Sequence, residues 1–192
     1  MGMAFLDIDQ PKTLGDWIIW LATMGVVFTS PFGAVAIICS LREELMKRRA
    51  MKEKEINSRS LSQALYYAKK RNLVRFKKEG EKTVMVLTEK GRKRKLQYDW
   101  ENIKIPKPDK WDGKWRLLMF DIPEKHKGVR EGFREKLKKL GFLQFQKSVW
   151  IYPYTCEDEL DFVGENLKIR QYLHLLTAKI ENDKDLALKF GI

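Results

Sequence analysis

One acidic residue stands where a carboxylate could do metal chemistry. Residues Trp115 to Phe120 have the apolar character and length of a buried strand, and Asp121 follows them directly, ahead of an Ile-Pro turn. Asp121 at a strand end is a candidate ligand for Mg²⁺ or Mn²⁺, and such an ion could activate water for attack on a phosphodiester. In the alternative, Asp121 starts the turn and caps the following segment through backbone N–H groups. We favour the structural role and keep the catalytic and metal-binding role as the alternative.

Few other residues offer catalytic chemistry. Cys39 and Cys156 stand far apart with no Cys-x-x-Cys pair, so no disulfide framework or zinc site can be read from them. His126 lies in a polar stretch and is expected to be solvated, whereas His174 lies in an apolar stretch and is expected to be a hydrogen-bonded strand residue. The sequence contains no glycine-rich phosphate loop, nucleophile elbow or His-Glu-x-x-His motif. We therefore expect a protein with no enzymatic activity and no cofactor.

The positive charge of the chain is concentrated in one segment. The formal net charge is +12 over 192 residues. Residues 1–40 carry one Lys against three Asp, and residues 97–192 carry 18 Lys and Arg against 16 acids. Residues 41–96 carry 19 Lys and Arg against 7 Glu, which equals the whole excess. This segment is expected to bind a polyanion, either nucleic acid or an anionic membrane face.

The same segment has the element order of a winged helix-turn-helix. Asn57 or Ser58 caps a helix whose apolar residues recur at i, i+3, i+4 and i+7: Leu61, Ala64, Leu65 and Ala68. Two short strands, from Leu73 to Phe76 and from Thr83 to Leu87, flank a basic turn, and Thr88 starts a short basic helix. We interpret the helix near Ser58 as the recognition helix, with its N-terminal part in the major groove of double-stranded DNA.

Candidate DNA contacts lie on this helix and on the hairpin after it. The side chains that could contact base edges or phosphates from the helix are Ser58, Arg59, Ser60, Gln63, Tyr66, Lys69, Lys70 and Arg71. Those that suit backbone contacts from the hairpin, or wing, are Lys77, Lys78 and Lys82.

Residues 17–41 raise the question of a membrane. The run contains no charged residue and is long enough to span a bilayer, and a basic stretch follows it. A Ser-Pro-Phe-Gly turn divides it into two shorter pieces, 17–28 and 33–41. With Ser30 as N-cap and Pro31 at the first helical position, two buried helices that meet at this turn are expected. A membrane anchor is the alternative.

The second half of the sequence alternates strands and helices. It follows a segment with two prolines among lysines, which we interpret as a linker at residues 99–108. A break of alternation near Gln146 and Lys147 predicts a bulge or a bend in the second strand. The order β-α-β-α-β predicts a ferredoxin-like sheet with helices on one face. Its open strand edges favour a sheet-extending homodimer.

Three stretches of the second half resemble a known family. They are WDGKWRLLMFDIPE (111–124), REKLKKLGF (134–142) and QKSVWIYPY (146–154). Together they resemble the central domain of the phenylacetic acid degradation repressor (PaaX) family, a domain similar in fold to the small ferredoxin-like endonuclease subunit of CRISPR adaptation. The resemblance covers residues 109–180, and it extends more weakly to 41–96 as a winged helix in the same order.

The resemblance implies a DNA-binding repressor whose central domain mediates dimerisation. It also implies that Asp121 matches an acid that, in the endonuclease-like proteins, meets its twin across the dimer and holds a divalent ion. Repressors of that family continue through a further C-terminal region, whereas this sequence stops at Ile192. Recognition of an acyl-CoA inducer is therefore not carried over.

These observations predict an α+β protein with an N-terminal winged helix-turn-helix and a ferredoxin-like β-α-β-α-β domain. Residues 1–98 form the first domain, with an apolar helical hairpin at its start, residues 99–108 the linker, and residues 109–192 the dimerisation domain. The expected function is a cytoplasmic, homodimeric DNA-binding transcriptional regulator, a repressor of the PaaX-like type. One alternative is a metal-dependent nuclease or CRISPR-type integration subunit centred on Asp121. The other is a membrane-anchored DNA-binding protein held by residues 17–41.

Overall fold

The computed structural model describes residues 11, 13–25, 27–28, 33–47, 57–80 and 82–192. Contacts among these residues form two units, with the division between Glu101 and Asn102. We call the described residues up to 101 the N-terminal unit and residues 102–192 the C-terminal unit. Both contain helices and an antiparallel sheet, so the protein belongs to the α+β class.

The N-terminal unit is built from three helices, a small sheet and a fourth helix that leads out of it. Its elements in chain order are α1 (Leu14–Thr23), β1 (Val27–Phe28), α2 (Gly33–Lys47), α3 (Ser58–Lys70), β2 (Val74–Glu79), β3 (Lys82–Leu87) and α4 (Glu89–Asn102). The strand order is β1-β3-β2, and both pairings are antiparallel. Leu21, Leu41, Leu61 and Met85 are fully buried and join the helices to the sheet in one apolar core.

The apolar run 17–41 is divided between two helices. Within it α1 ends at Thr23 and α2 begins at Gly33. The predicted cap at Ser30 and the predicted first helical residue Pro31 lie outside the described residues. Among the described residues, no helix combines the length and the apolar character needed to cross a bilayer.

The C-terminal unit is a four-stranded antiparallel sheet with two long helices. Its elements are β4 (Trp115–Phe120), α5 (Lys127–Leu140), β5 (Leu143–Gln146), β6 (Val149–Tyr152), α6 (Glu157–Leu167), β7 (Leu173–Ala178) and a short α7 (Lys184–Phe190). The strand order is β5-β6-β4-β7, and every neighbouring pair is antiparallel. The elements from β4 to β7 follow one another in the β-α-β-β-α-β order of ferredoxin-like sheets.

Two predicted boundaries differ from the structure. The predicted second strand is a hairpin of two four-residue strands, β5 and β6, because the chain reverses at Lys147 and Ser148. The order is therefore β-α-β-β-α-β rather than β-α-β-α-β. The irregularity expected near Gln146 is present as a register shift between Gln144 and Gln146. The predicted linker at 99–108 begins inside α4, which continues to Asn102. The helix extends this far because Asp99 is buried and accepts hydrogen bonds from Lys95 one turn earlier.

A buried guanidinium secures the start of the C-terminal sheet. Arg116 in β4 donates two hydrogen bonds of 2.8 Å to the carboxylate of Asp112 and one of 3.0 Å to the carbonyl of Pro153, which follows β6. Beside it, Trp115 donates from Nε1 to Asp183 at 2.7 Å and packs against Phe190 of α7, with ring centroids 5.6 Å apart. The hydrogen bond and the ring contact of Trp115 therefore hold α7 on the sheet.

Candidate nucleic-acid interface

Helix α3 separates its packing residues from its exposed polar residues. It begins after Asn57, whose side-chain oxygen accepts a hydrogen bond of 2.8 Å from the backbone N–H of Ser60. Leu61, Leu65 and Ala68 are buried in the core of the N-terminal unit. The predicted apolar face and the predicted start of the helix are confirmed. The opposite face is left to solvent along the whole length of α3.

The exposed face of α3 carries one continuous stripe of polar and aromatic side chains. Arg59, Gln63, Tyr66 and Lys70 follow one another at i, i+4, i+7 and i+11, a spacing that places them on one side of a helix. The ring of Tyr66 makes an edge contact with Tyr67 at 5.6 Å between centroids. The Nζ atom of Lys70 lies 5.8 Å from the centroid of the Tyr66 ring. The stripe therefore has aromatic side chains, Tyr66 and its neighbour Tyr67, next to the cationic side chain of Lys70 at its C-terminal end.

The wing lysines lie on two different faces of the β2-β3 hairpin. Side chains alternate along a strand, so Lys78 shares its face with Phe76, whereas Lys77 points to the other face. The Nζ atom of Lys69 in α3 lies 5.4 Å from the centroid of the Phe76 ring, which identifies the Lys78 face as the one beside α3. Lys77 forms an ion pair of 3.1 Å with Glu79.

A threonine and a glycine fix α4 against the end of α3. Thr88 accepts a hydrogen bond of 3.0 Å from the backbone N–H of Gly91 and donates its own hydroxyl to the carbonyl of Asn72. A Cβ atom added to Gly91 would lie 1.9 Å from the carbonyl oxygen of Leu73, so only glycine allows this approach. Because Leu73 directly precedes β2, the contact also sets where the wing leaves α3.

Sequence reasoning missed one arginine at this surface. Arg94 of α4 lines an open cleft of about 400 Å³ together with Arg71 and Tyr67 from the C-terminal end of α3. Neither Arg71 nor Arg94 pairs with a carboxylate among the described residues. Lys93 and Lys95 form i, i+4 ion pairs within α4. Arg94 has no acid four residues away on either side, and this spacing is visible in the sequence.

Asp121 does not cap the segment that follows it. Its side chain is exposed, and neither the short 3₁₀ turn at Glu124 nor α5 has a side-chain cap. The backbone N–H of Asp121 instead donates to the carbonyl of Tyr172, and Arg130 secures the turn through Glu124 at 2.8 Å and the carbonyl of Ile122 at 3.3 Å. The expected capping role of Asp121 is wrong, and the turn is held instead by the guanidinium of Arg130, which donates to Glu124 and to the Ile122 carbonyl.

No metal site accompanies Asp121 in the described part of the chain. Among the described residues, no three His, Cys, Asp or Glu side chains lie together where they could hold an ion. His126 is exposed on the polar turn and His174 is exposed on β7, where it pairs with Met119 of β4. A single exposed carboxylate per chain is too few ligands to hold a divalent ion by itself.

Comparison with known proteins identifies the C-terminal unit. Residues 108–188 match the family described as "PaaX protein central Cas2-like domain". The resemblance read from the sequence is confirmed over this range. No curated protein matches the chain. A solved structure, the uncharacterized protein Rv0674 from Mycobacterium tuberculosis, is similar at 20% identity with a TM-score of 0.36. The similarity covers 77% of this chain and 57% of that one, and at this TM-score it carries no functional conclusion.

Proposed function

We propose that the protein is a DNA-binding transcriptional regulator of the PaaX type, whose N-terminal unit binds duplex DNA as a winged helix-turn-helix. The observation that carries this proposal is the set of exposed cations on α3, the wing and α4 that have no carboxylate partner among the described residues. They are Arg59, Lys69, Lys70, Arg71, Arg75, Lys78, Lys82, Lys90, Arg92 and Arg94. Cations left unpaired on one unit form the electrostatic footprint of a phosphate-binding protein.

The element order supports the assignment of roles. Helices α2 and α3 contact each other, and the β2-β3 hairpin follows α3 directly, as a wing follows a recognition helix. In this proposal the N-terminal half of α3 enters the major groove. Lys78 on the α3 side of the wing, together with Arg71 and Arg94 at the cleft, contacts phosphates and positions the helix. No catalytic residue or cofactor is part of the proposal, and the protein acts in the cytoplasm, where the DNA is.

The C-terminal unit is proposed to pair two such DNA-binding units in a homodimer. Phe120 of β4 packs on Phe133 of α5, with ring centroids 5.1 Å apart, so the helices cover that face of the sheet. Met119 and Leu176 lie on the opposite face, because residues alternate along β4 and Leu176 pairs with Leu117. Both are exposed although they are large and apolar. Sedimentation equilibrium tests this part, and a monomer at micromolar concentration would contradict it.

The proposed function is tested by binding to duplex DNA without metal. Full-length protein is titrated against a labelled duplex from its own upstream region, with random-sequence duplex as competitor, between about 50 and 200 mM salt. We expect binding that survives the competitor and weakens linearly on a log–log plot against salt, because phosphate contacts release counterions. The triple variant Lys77→Ala, Lys78→Ala, Lys82→Ala should bind every sequence more weakly with a shallower salt slope.

Two results would contradict the proposal. If the random-sequence competitor abolishes binding, the N-terminal unit binds polyanions in general and has no preferred DNA sequence. Cleavage of the duplex on addition of Mg²⁺ or Mn²⁺, abolished by Asp121→Asn, would show a nuclease in place of a regulator.

A further inference from the structure

Two of the three serines of α3, Ser60 and Ser62, are occupied by the helix itself. Ser60 donates its hydroxyl to the carbonyl of Asn57 at 3.0 Å, and Ser62 donates to the carbonyl of Ser58 at 2.6 Å. The Asn57 side chain is held by its cap bond to the Ser60 N–H. Ser58 is the first residue of the helix, so its carbonyl is already the acceptor for Ser62. The side chains of Asn57, Ser60 and Ser62 therefore maintain the helix start, and Ser58 offers only a short hydroxyl.

The C-terminal half of α3 is also engaged in local contacts. Tyr66 and Tyr67 contact each other edge to face, Lys70 lies over Tyr66, and Lys69 lies over Phe76. An edge-to-face tyrosine pair with cations beside it suits phosphates and sugars, contacts that carry no direct sequence information. These side chains lie in the C-terminal half of α3, whereas a recognition helix contacts base edges with its N-terminal residues, so they are suited to positioning the helix.

Only two exposed side chains in the N-terminal half of α3 combine long reach with unused hydrogen-bonding groups. Arg59 and Gln63 have no hydrogen-bond or ion-pair partner among the described residues. They are one turn apart on the stripe, which separates them by about 6 Å along the helix axis. Stacked bases are about 3.4 Å apart along one strand, so the two side chains span no more than two base-pair steps.

We infer that Arg59 and Gln63 are the base-reading pair of this protein, and that its DNA half-site contains a guanine read by Arg59 and an adenine read by Gln63 within two base-pair steps. This inference rests on the proposed function. The guanidinium of Arg59 can donate two hydrogen bonds to the O6 and N7 atoms of guanine. The amide of Gln63 can accept from N6 and donate to N7 of adenine. Both patterns exist only in the major groove.

Selection from a randomised duplex library tests the inference with the full-length chain. The wild type should enrich a site that contains the guanine and the adenine at the stated separation. Arg59→Ala should lose the preference at the guanine position alone, with about a 5- to 150-fold loss of affinity for the wild-type site. Gln63→Glu should change the preferred base pair at the adenine position, because a carboxylate accepts from the N4 amino group of cytosine and cannot donate to N7.

Lys78→Ala is the matched control. It removes a cation of the same unit that lies on the wing, so it should weaken binding without changing the enriched sequence. Arg59 and Gln63 are exposed on the face opposite the core, and circular dichroism melting should show that their variants fold as the wild type does.

The outcomes separate this inference from the proposed function. A wild-type protein that enriches no sequence would overturn both. A wild-type protein that enriches a clear site, while Arg59→Ala and Gln63→Glu enrich the same site unchanged, would overturn the base-reading pair and leave the regulator standing. A wild-type site with neither a guanine nor an adenine at an affected position would have the same meaning.

Discussion

The arginines of the two units differ in whether they pair with carboxylates. In the C-terminal unit all four arginines pair with carboxylates: Arg116 with Asp112, Arg130 with Glu124, Arg134 with Glu131 and Arg170 with Asp161. In the N-terminal unit Arg59, Arg71, Arg75 and Arg94 pair with no carboxylate among the described residues. Arginine therefore serves internal structure throughout the C-terminal unit, whereas these four arginines of the N-terminal unit have no carboxylate partner among the described residues.

This difference explains the uneven charge along the sequence. A cation that supports a fold through a carboxylate brings its own neutralising acid, so residues 97–192 have 18 basic residues but nearly as many acids. A cation intended for phosphate has no such acid, because an internal partner would compete with the ligand. The net charge of a segment thus indicates whether its cations pair with carboxylates inside the fold or stay available for phosphate.

The largest effect is expected where α4 touches the end of α3. Gly91→Ala places a methyl group against the carbonyl oxygen of Leu73, and since backbone cannot yield as a side chain can, the N-terminal unit should lose about 3 kcal/mol of stability. Hydrogen exchange followed by mass spectrometry measures this, as loss of protection in peptides from α3. Peptides from β4 should keep their protection if each unit depends on its own contacts.

Gly132→Ala in α5 is the control for that substitution. An added Cβ there meets no atom within 4 Å, and alanine favours helix over glycine by up to about 1 kcal/mol. The C-terminal unit should therefore become slightly more stable. Equal destabilisation by both substitutions would show that the Leu73 contact is not the cause.

A smaller effect is expected at the paired arginine Arg116. Its guanidinium donates to Asp112 and holds the pKa of that carboxyl below its usual value. The pair therefore contributes stability that is complete above the unfolded pKa of about 3.9 and is lost as the pH falls through the lower folded pKa. Asp112→Asn should cost about 1 to 2 kcal/mol at pH 7, since Asp112 is half exposed.

Denaturant unfolding at two pH values checks the Asp112 prediction. The difference between wild type and Asp112→Asn should be present at pH 7 and should shrink when the pH is brought below the folded pKa. A difference that does not depend on pH would mean that shape, and not charge, makes the Asp112 side chain important.

The smallest effect is expected between two neighbouring lysines of the wing. Lys78→Ala should reduce DNA affinity several-fold and lower the salt slope by about one, because Lys78 lies on the α3 side and has no ion-pair partner among the described residues. Lys77→Ala should change both less, since Lys77 lies on the other face and is paired with Glu79. Fluorescence anisotropy over a salt series measures both variants, and a larger loss from Lys77→Ala would reverse the assignment of wing faces.

The sequence predicts the elements whose residues repeat clearly. The buried face of α3, the strand from Trp115 to Phe120 and the end of α5 at Gly141 follow from periodicity and from a glycine that adopts φ of 92°. The β5-β6 hairpin was missed because four-residue strands are too short to show their own alternation. Helix α7 was missed as well, since its place is set by the distant ring of Trp115.

The candidate site was predictable in its residue types but not in its pairings. Lys77 and Lys78 look equivalent in the sequence, and only the register of β2 with β3 assigns them to different faces. Asp121 looks like a cap, yet its side chain caps neither following helical segment, and Arg130 holds the turn from the next helix by donating to Glu124 and to the Ile122 carbonyl. Side-chain partners that come from another element are decided by tertiary structure, which local pattern does not encode.

The separation of faces on α3 has a consequence for how such a protein can diverge. Leu61, Leu65 and Ala68 carry the folding role of the helix, and Arg59 and Gln63 carry none of it. A gene copy could therefore exchange either reader in a single step and acquire a new target sequence while its stability stays the same. Under the proposed function, duplicated copies of this protein could come to control different genes without loss of stability along the way.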